Sequence, residues 1–111
     1  MALTDVAHGT VTTSTTETAF GTGTPFTAAG NYVLLLDLNA LVAGDIITVN
    51  VYTKTLTGST ARIVRHYLFS GIQGEPNFQS IVFPSLFSFE CKIRHATGGS
   101  ARGIDYTIAS L

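Results

Sequence analysis

The chain has no tryptophan, one cysteine, one methionine and few charges, and each shortage closes off a class of explanation. Charged residues fill 12% of the 111 positions, against about 25% in ordinary globular chains. Six Lys and Arg balance seven Asp and Glu to a formal charge of −1. That is too sparse for a phosphate-binding face, so no nucleic acid partner is expected. A lone cysteine, Cys91, cannot close an internal disulfide, and the fold must stand on its core. No apolar run approaches the roughly 18 residues of a membrane-spanning helix. The longest is Tyr32 to Leu36, and no membrane is expected. The opening segment Met1 to Thr16 is polar and Thr-rich, without a basic and then apolar leader, which predicts a soluble protein made in a cytoplasm.

Helical periodicity is also scarce. What is present is alternation with period 2, carried by β-branched and aromatic residues and punctuated by Gly, Pro and Asn. Hydrophobic content of 45% is enough for one core and one domain, 1–111. Residues 1–20 read as an extended N-terminal arm or an edge strand, Thr-rich and burying little. Tyr32 to Leu38 is apolar on both parities, so both faces of that strand must be covered. Asn39 to Asp45 reads as a turn with one helical turn through Ala40 to Ala43. Ile47, Val49 and Val51 point one way from a half-buried strand, and a loop around Gly58 returns the chain into Arg62 to Ser70. A short strand Phe78 to Phe83 is stopped by Pro84. Phe87, Phe89, Cys91 and Ile93 share an inward face, as do Ile104, Tyr106 and Ile108 after a Gly-rich loop from Thr97 to Gly103. The pattern predicts an all-β protein, a single β-sandwich of jelly-roll or Greek-key type with about seven to eight antiparallel strands. A small β-barrel is the alternative.

Catalytic constellations are wanting. His8, His66 and His95 have no metal-ligand spacing to one another or to Cys91, so no metal is expected. Cys91 lies on an inward parity, where a thiol is buried and inert. No serine sits in a nucleophile elbow. Nothing in the spacing brings Glu75 and Glu90 together. Gly21-Thr22-Gly23 and Gly98-Gly99-Ser100 lack the Lys and helix of a phosphate loop and read as turns. No cofactor is expected, and the chain is read as a binding protein, not an enzyme.

A surface poor in charge suits a chain partly covered by neighbours, which predicts a homo-oligomer, dimer or trimer. The charges are also divided: Asp5, Glu17, Asp37 and Asp45 precede every basic residue. Three interface regions follow. They are the arm, with Val11 and Thr13; the strand Tyr32, Val33 and Leu35; and a basic face of Arg62, Arg65, Lys92 and Arg94. Phe78, Phe83, Phe87 and Phe89 crowd around Pro76 and Pro84, mostly as core, with partner or sugar contact as further uses.

Several runs carry a resemblance. They are Gly9 to Glu17 (GTVTTSTTE), Gly30 to Asp45 (GNYVLLLDLNALVAGD), Val51 to Lys54 (VYTK) and the ending from Ala96-Thr97-Gly98 through Arg102. Together they resemble a group of small β-domain proteins encoded in the structural gene regions of tailed bacteriophages. The resemblance covers nearly the whole chain and implies a virion component. It implies a capsid decoration or cement protein that binds the major capsid protein or another virion protein and stabilises the head. A neck, tail or fibre-associated adaptor is the second reading, and a carbohydrate-binding module using Tyr52, Tyr67 or Phe78 is the reading from another class. The resemblance implies no catalytic residues.

Overall fold

The computed structural model describes residues 3–21, 23–96 and 99–111. Thr22, Thr97 and Gly98, from turns expected above, lie outside the described residues. Among those described there are nine strands and no helix: β1 (Thr4–Thr12), β2 (Thr18–Ala19), β3 (Gly30–Asp37), β4 (Ile46–Thr53), β5 (Arg62–Ser70), β6 (Asn77–Gln79), β7 (Phe83–Ser85), β8 (Phe89–His95) and β9 (Gly103–Ser110).

All pairing is antiparallel, in two sheets. The first runs β1-β9-β3-β6, with β7 also on β3, and the second runs β2-β8-β4-β5. The chain crosses between sheets after β1, β2, β3, β5, β7 and β8, staying in one sheet only at the β4–β5 hairpin and between β6 and β7. That interleaving is the double Greek key of a jelly roll. The chain is therefore an all-β sandwich and not a small barrel, because each sheet ends in free edges.

Alternation along the strands builds the core. Leu34, Leu36, Ile104, Ile108 and Phe83 of the first sheet meet Ile47, Val49, Val51, Phe89, Cys91 and Ile93 of the second, all buried. Phe89 packs on Phe83, Phe26 and Tyr32 at ring distances of 5.3, 5.0 and 4.3 Å. Burial pushes the Cys91 thiol up to about 12, as its inward parity predicted.

Two local expectations fail. Asn39 to Asp45 contains no helical turn; it folds as two tight turns, closed by Leu41 N–H to Leu38 O (3.2 Å) and Asp45 N–H to Val42 O (3.1 Å). Gly44 at φ 92° supplies the second turn's left-handed residue, and the Asp45 carboxylate accepts from Val42 N–H, a short-range bond that competes with helix. Pro84 does not stop a strand either. The segment is interrupted earlier, at Ser80 to Val82, where the Ser80 hydroxyl takes the Leu34 N–H (2.8 Å) and breaks the ladder. Pro84 then sits inside β7, an edge strand where a missing N–H is tolerated.

Candidate functional site

Among the described residues 3–20 there is no free arm; of the two expected forms it is the edge strand that occurs, with β1 at the border of the first sheet. β1 pairs along its length with β9, and the register turns Val11 inward against Ile104. Thr13 is 2% exposed. Its hydroxyl accepts from Arg102 N–H (2.9 Å) and shares a bond with Nδ1 of His95 (2.9 Å). Val11 and Thr13 are thus removed from any interface, because their side chains are spent inside the protomer. The same holds for Tyr32, whose ring is core and whose O–H donates to Ala28 O. Val33 and Leu35 do face outward from the first sheet, as expected. Val33 is covered within the chain, beside Ala109 and opposite the interruption at Ile81 and Val82. Leu35 is half-buried and lines a cleft of about 260 Å³ with Asp37, Asn77, Gln79 and Asp105.

In that cleft Asp37 and Asp105 stand directly opposite each other on β3 and β9. Each already has a donor: Asn39 N–H on Asp37 (3.0 Å) and the Thr10 hydroxyl on Asp105 (2.6 Å). Among the described residues no group of three or more His, Cys, Asp or Glu is placed to hold a metal ion.

The basic face divides in two. β8 alternation puts Lys92 and Arg94 on the outer face of the second sheet, whereas Arg62 pairs with Thr53 and Arg65 with buried Val51. Unbroken alternation gives Arg65 the inward parity of Val51, and a bulge at Val64 brings Arg62 onto that same parity. Arg65 lies half-buried at the sheet edge, its Nε buried without a partner among the described residues and its Nη1 on Val64 O (3.2 Å).

The outer face of the second sheet holds a polar network absent from the sequence reading. Glu17, just before β2, accepts from Asn50 Nδ2 (3.0 Å) and from the Tyr52 hydroxyl (2.7 Å). Because Asn50 turns its amide N–H₂ to a carboxylate, its Oδ1 faces His66, so His66 donates from Nδ1 (2.6 Å). Lys92 lies over the Tyr52 ring at 5.3 Å, and Arg94 donates to Thr48 (3.3 Å). Burial pushes the Glu17 carboxyl up, but the Asn50 and Tyr52 hydrogen bonds and the charges of Lys92 and Arg94 outweigh it and hold it below its ordinary value. Burial and the Glu17 carboxylate raise the Tyr52 phenol. These groups satisfy one another, so the network's work is to clamp the β1–β2 crossing onto the sheet.

A second network sits at the end of the sandwich. Arg102 grips Asp45 through Nε (2.8 Å) and Nη2 (3.2 Å), which holds the Asp45 carboxyl low, with Val42 N–H adding to it. Thr13 and His95 beside it have the spacing of a nucleophile and base, yet they are 2% and 7% exposed and do not line the clefts at Leu35, Asn39 or Ile46. Their hydrogen bonds join the start of the β1–β2 crossing to β8 and to Arg102.

The remaining surface feature is apolar. At the two neighbouring sheet edges, Ile63 and Leu68 of β5 point to the outer face of the second sheet and are 51% and 59% exposed, while Ile81, between β6 and β7 of the first sheet, is 62% exposed, with Val64 and Val82 also exposed in these segments. Tyr67 and Phe69 turn inward there and are only half-buried, capped by Phe78 at ring distances of 4.8 and 4.9 Å. The Tyr67 hydroxyl accepts the Ile81 N–H (3.2 Å), joining the two edges. Tyr52 faces the opposite way from Tyr67 and Phe78, so the three aromatics make no shared sugar platform. Neither family models, nor curated proteins, nor solved structures match this chain.

Proposed function

We propose that this chain is a non-enzymatic structural protein, a jelly-roll subunit that adds to a larger protein assembly. The observation that carries this is the open apolar side, because a folded monomer gains nothing from exposing Ile63, Leu68 and Ile81 along one edge. The polar networks, in contrast, are satisfied internally or buried. Jelly rolls serve viral coats, lectins and enzymes alike, so topology alone does not choose among them. The resemblance to small tailed-phage proteins supports one of these: a capsid decoration or cement protein that binds the capsid surface, stabilises the head and resides in the virion.

Mixing purified protein with expanded capsids and sedimenting them tests this. Co-sedimentation that saturates at hundreds of copies per particle supports decoration. Saturation at about a dozen copies favours the neck or tail adaptor, and no binding to any virion part sinks the proposal.

A further inference from the structure

The occupant of the open side is the next question, and its answer rests on the binding role proposed above. The two long sides of the sandwich are chemically unlike. The side bounded by β1 and β2 is Thr-rich, with Leu3 and Val6 as its exposed apolar residues, whereas the β5 side concentrates Ile63, Val64, Leu68, Ile81 and Val82. Apolar surface is best covered by apolar surface, so within this molecule the complement of the β5 side is the β5 side itself. Charge points the same way. Arg62 and Arg65 open β5, and Glu75 is exposed in the connection beyond its last residue, Ser70. That connection folds back on the strand through Gln73 Nε2, which donates to Ser70 O and Gly71 O. Laid antiparallel across a twofold axis, each copy's arginines reach the other copy's Glu75 end. Laid parallel, they would meet arginines.

Size is adequate. A nine-residue strand is about 30 Å long, and the molecule is 21 Å across its thinnest direction, so this side offers on the order of 600 Å² per copy. Twofold pairing then buries about 1,200 Å², the lower bound of specific interfaces. We infer that the β5 side is an isologous dimer interface between two copies of this chain, joined antiparallel.

Light scattering after size exclusion, at rising concentration, reads the result. The wild-type chain should reach twice its 11.7 kDa mass. The double variant Leu68→Glu with Ile81→Glu should stay at the single-chain mass with an unchanged circular dichroism spectrum, while Leu3→Glu on the other side should dimerise normally. Should the double variant fail to fold, charge reversal provides the second readout. Arg62→Glu should weaken the dimer about tenfold, and adding Glu75→Arg in the same chain should restore it. A wild-type monomer at the highest soluble concentration, a trimer, or a dimer lost through Leu3→Glu overturns the inference. A dimer that ignores capsids sinks the proposed function and leaves this interface standing. A monomer that binds capsids through Leu68 does the reverse.

Discussion

The two long sides of this sandwich solve the same problem by opposite means. On the β1 side the crossing from first to second sheet is fastened by polar groups: Thr13 to His95 and Arg102, then Glu17 to Asn50 and Tyr52. On the β5 side the sheets are bridged by one ring, Phe78, set between Tyr67 and Phe69, and by one hydrogen bond from Ile81 to Tyr67. Polar fastening is directional and pairs these groups within the chain. Apolar bridging is incomplete, and its surplus faces outward. Stability and the binding proposed above thereby fall to different edges of one small fold.

The largest expected effect comes from removing the ring that bridges the open side. Phe78→Ala should destabilise the dilute monomer by about 3 kcal/mol, the lower end for aromatic truncation because the ring is only partly buried. Urea unfolding at low concentration measures it, away from the added stability of association. A loss below about 1 kcal/mol would mean that β5 is held by β4 alone. On the fastened side Thr13→Ala should cost about 2 kcal/mol, since it strands the Arg102 N–H and His95 Nδ1 in a buried site. A neutral result would show that the crossing needs no polar lock.

Glu17→Gln should cost about 1 kcal/mol near neutral pH, with a definite pH signature. The folded carboxyl titrates below its ordinary 4.5. Its contribution is therefore complete above that value and disappears as pH falls through the folded pKa. Asp45, held low first by the Arg102 hydrogen bond, acts in the same direction below its ordinary 3.8. Thermal melts should show wild type and Glu17→Gln converging in acid and separating above about pH 5. A constant gap at every pH would remove Glu17 from the linkage.

How much of this was legible in the sequence follows from range. Period-2 alternation located β4, β8 and β9 with their inward faces, and β5 matches the expected Arg62 to Ser70 in both bounds. Local chemistry misled where a side chain took over a backbone role. Asp45 capping Val42 replaced the expected helical turn, and Ser80 bonding Leu34 split one strand into β6 and β7. Val11 stands alone as an apolar residue between Gly9 and Thr16, and the threonines around it offer no contrast between faces, so its inward register was invisible. The Glu17 network joins positions 33 and 35 residues apart, beyond any periodicity. The basic face dissolves because Arg65 shares the inward parity of Val51 and a single bulge at Val64 adds Arg62 to that parity, away from Lys92 and Arg94.

Arg65 supplies the smallest effect and the sharpest contrast between the sides. Its Nε is buried with no partner among the described residues, and its guanidinium holds only a carbonyl of the neighbouring residue. A lone fold has little use for such a group, because an unmatched buried donor costs what an apolar chain of equal length does not. Arg65→Met should therefore leave the dilute monomer unchanged or raise its stability by about 0.5 kcal/mol, while weakening the inferred dimer by removing one of the two cations that antiparallel pairing brings to the other copy's Glu75 end. Opposite signs in the two measurements would mark Arg65 as a residue kept for association. Loss of monomer stability instead would place it with Thr13 and Glu17, as part of the fold's own fastening.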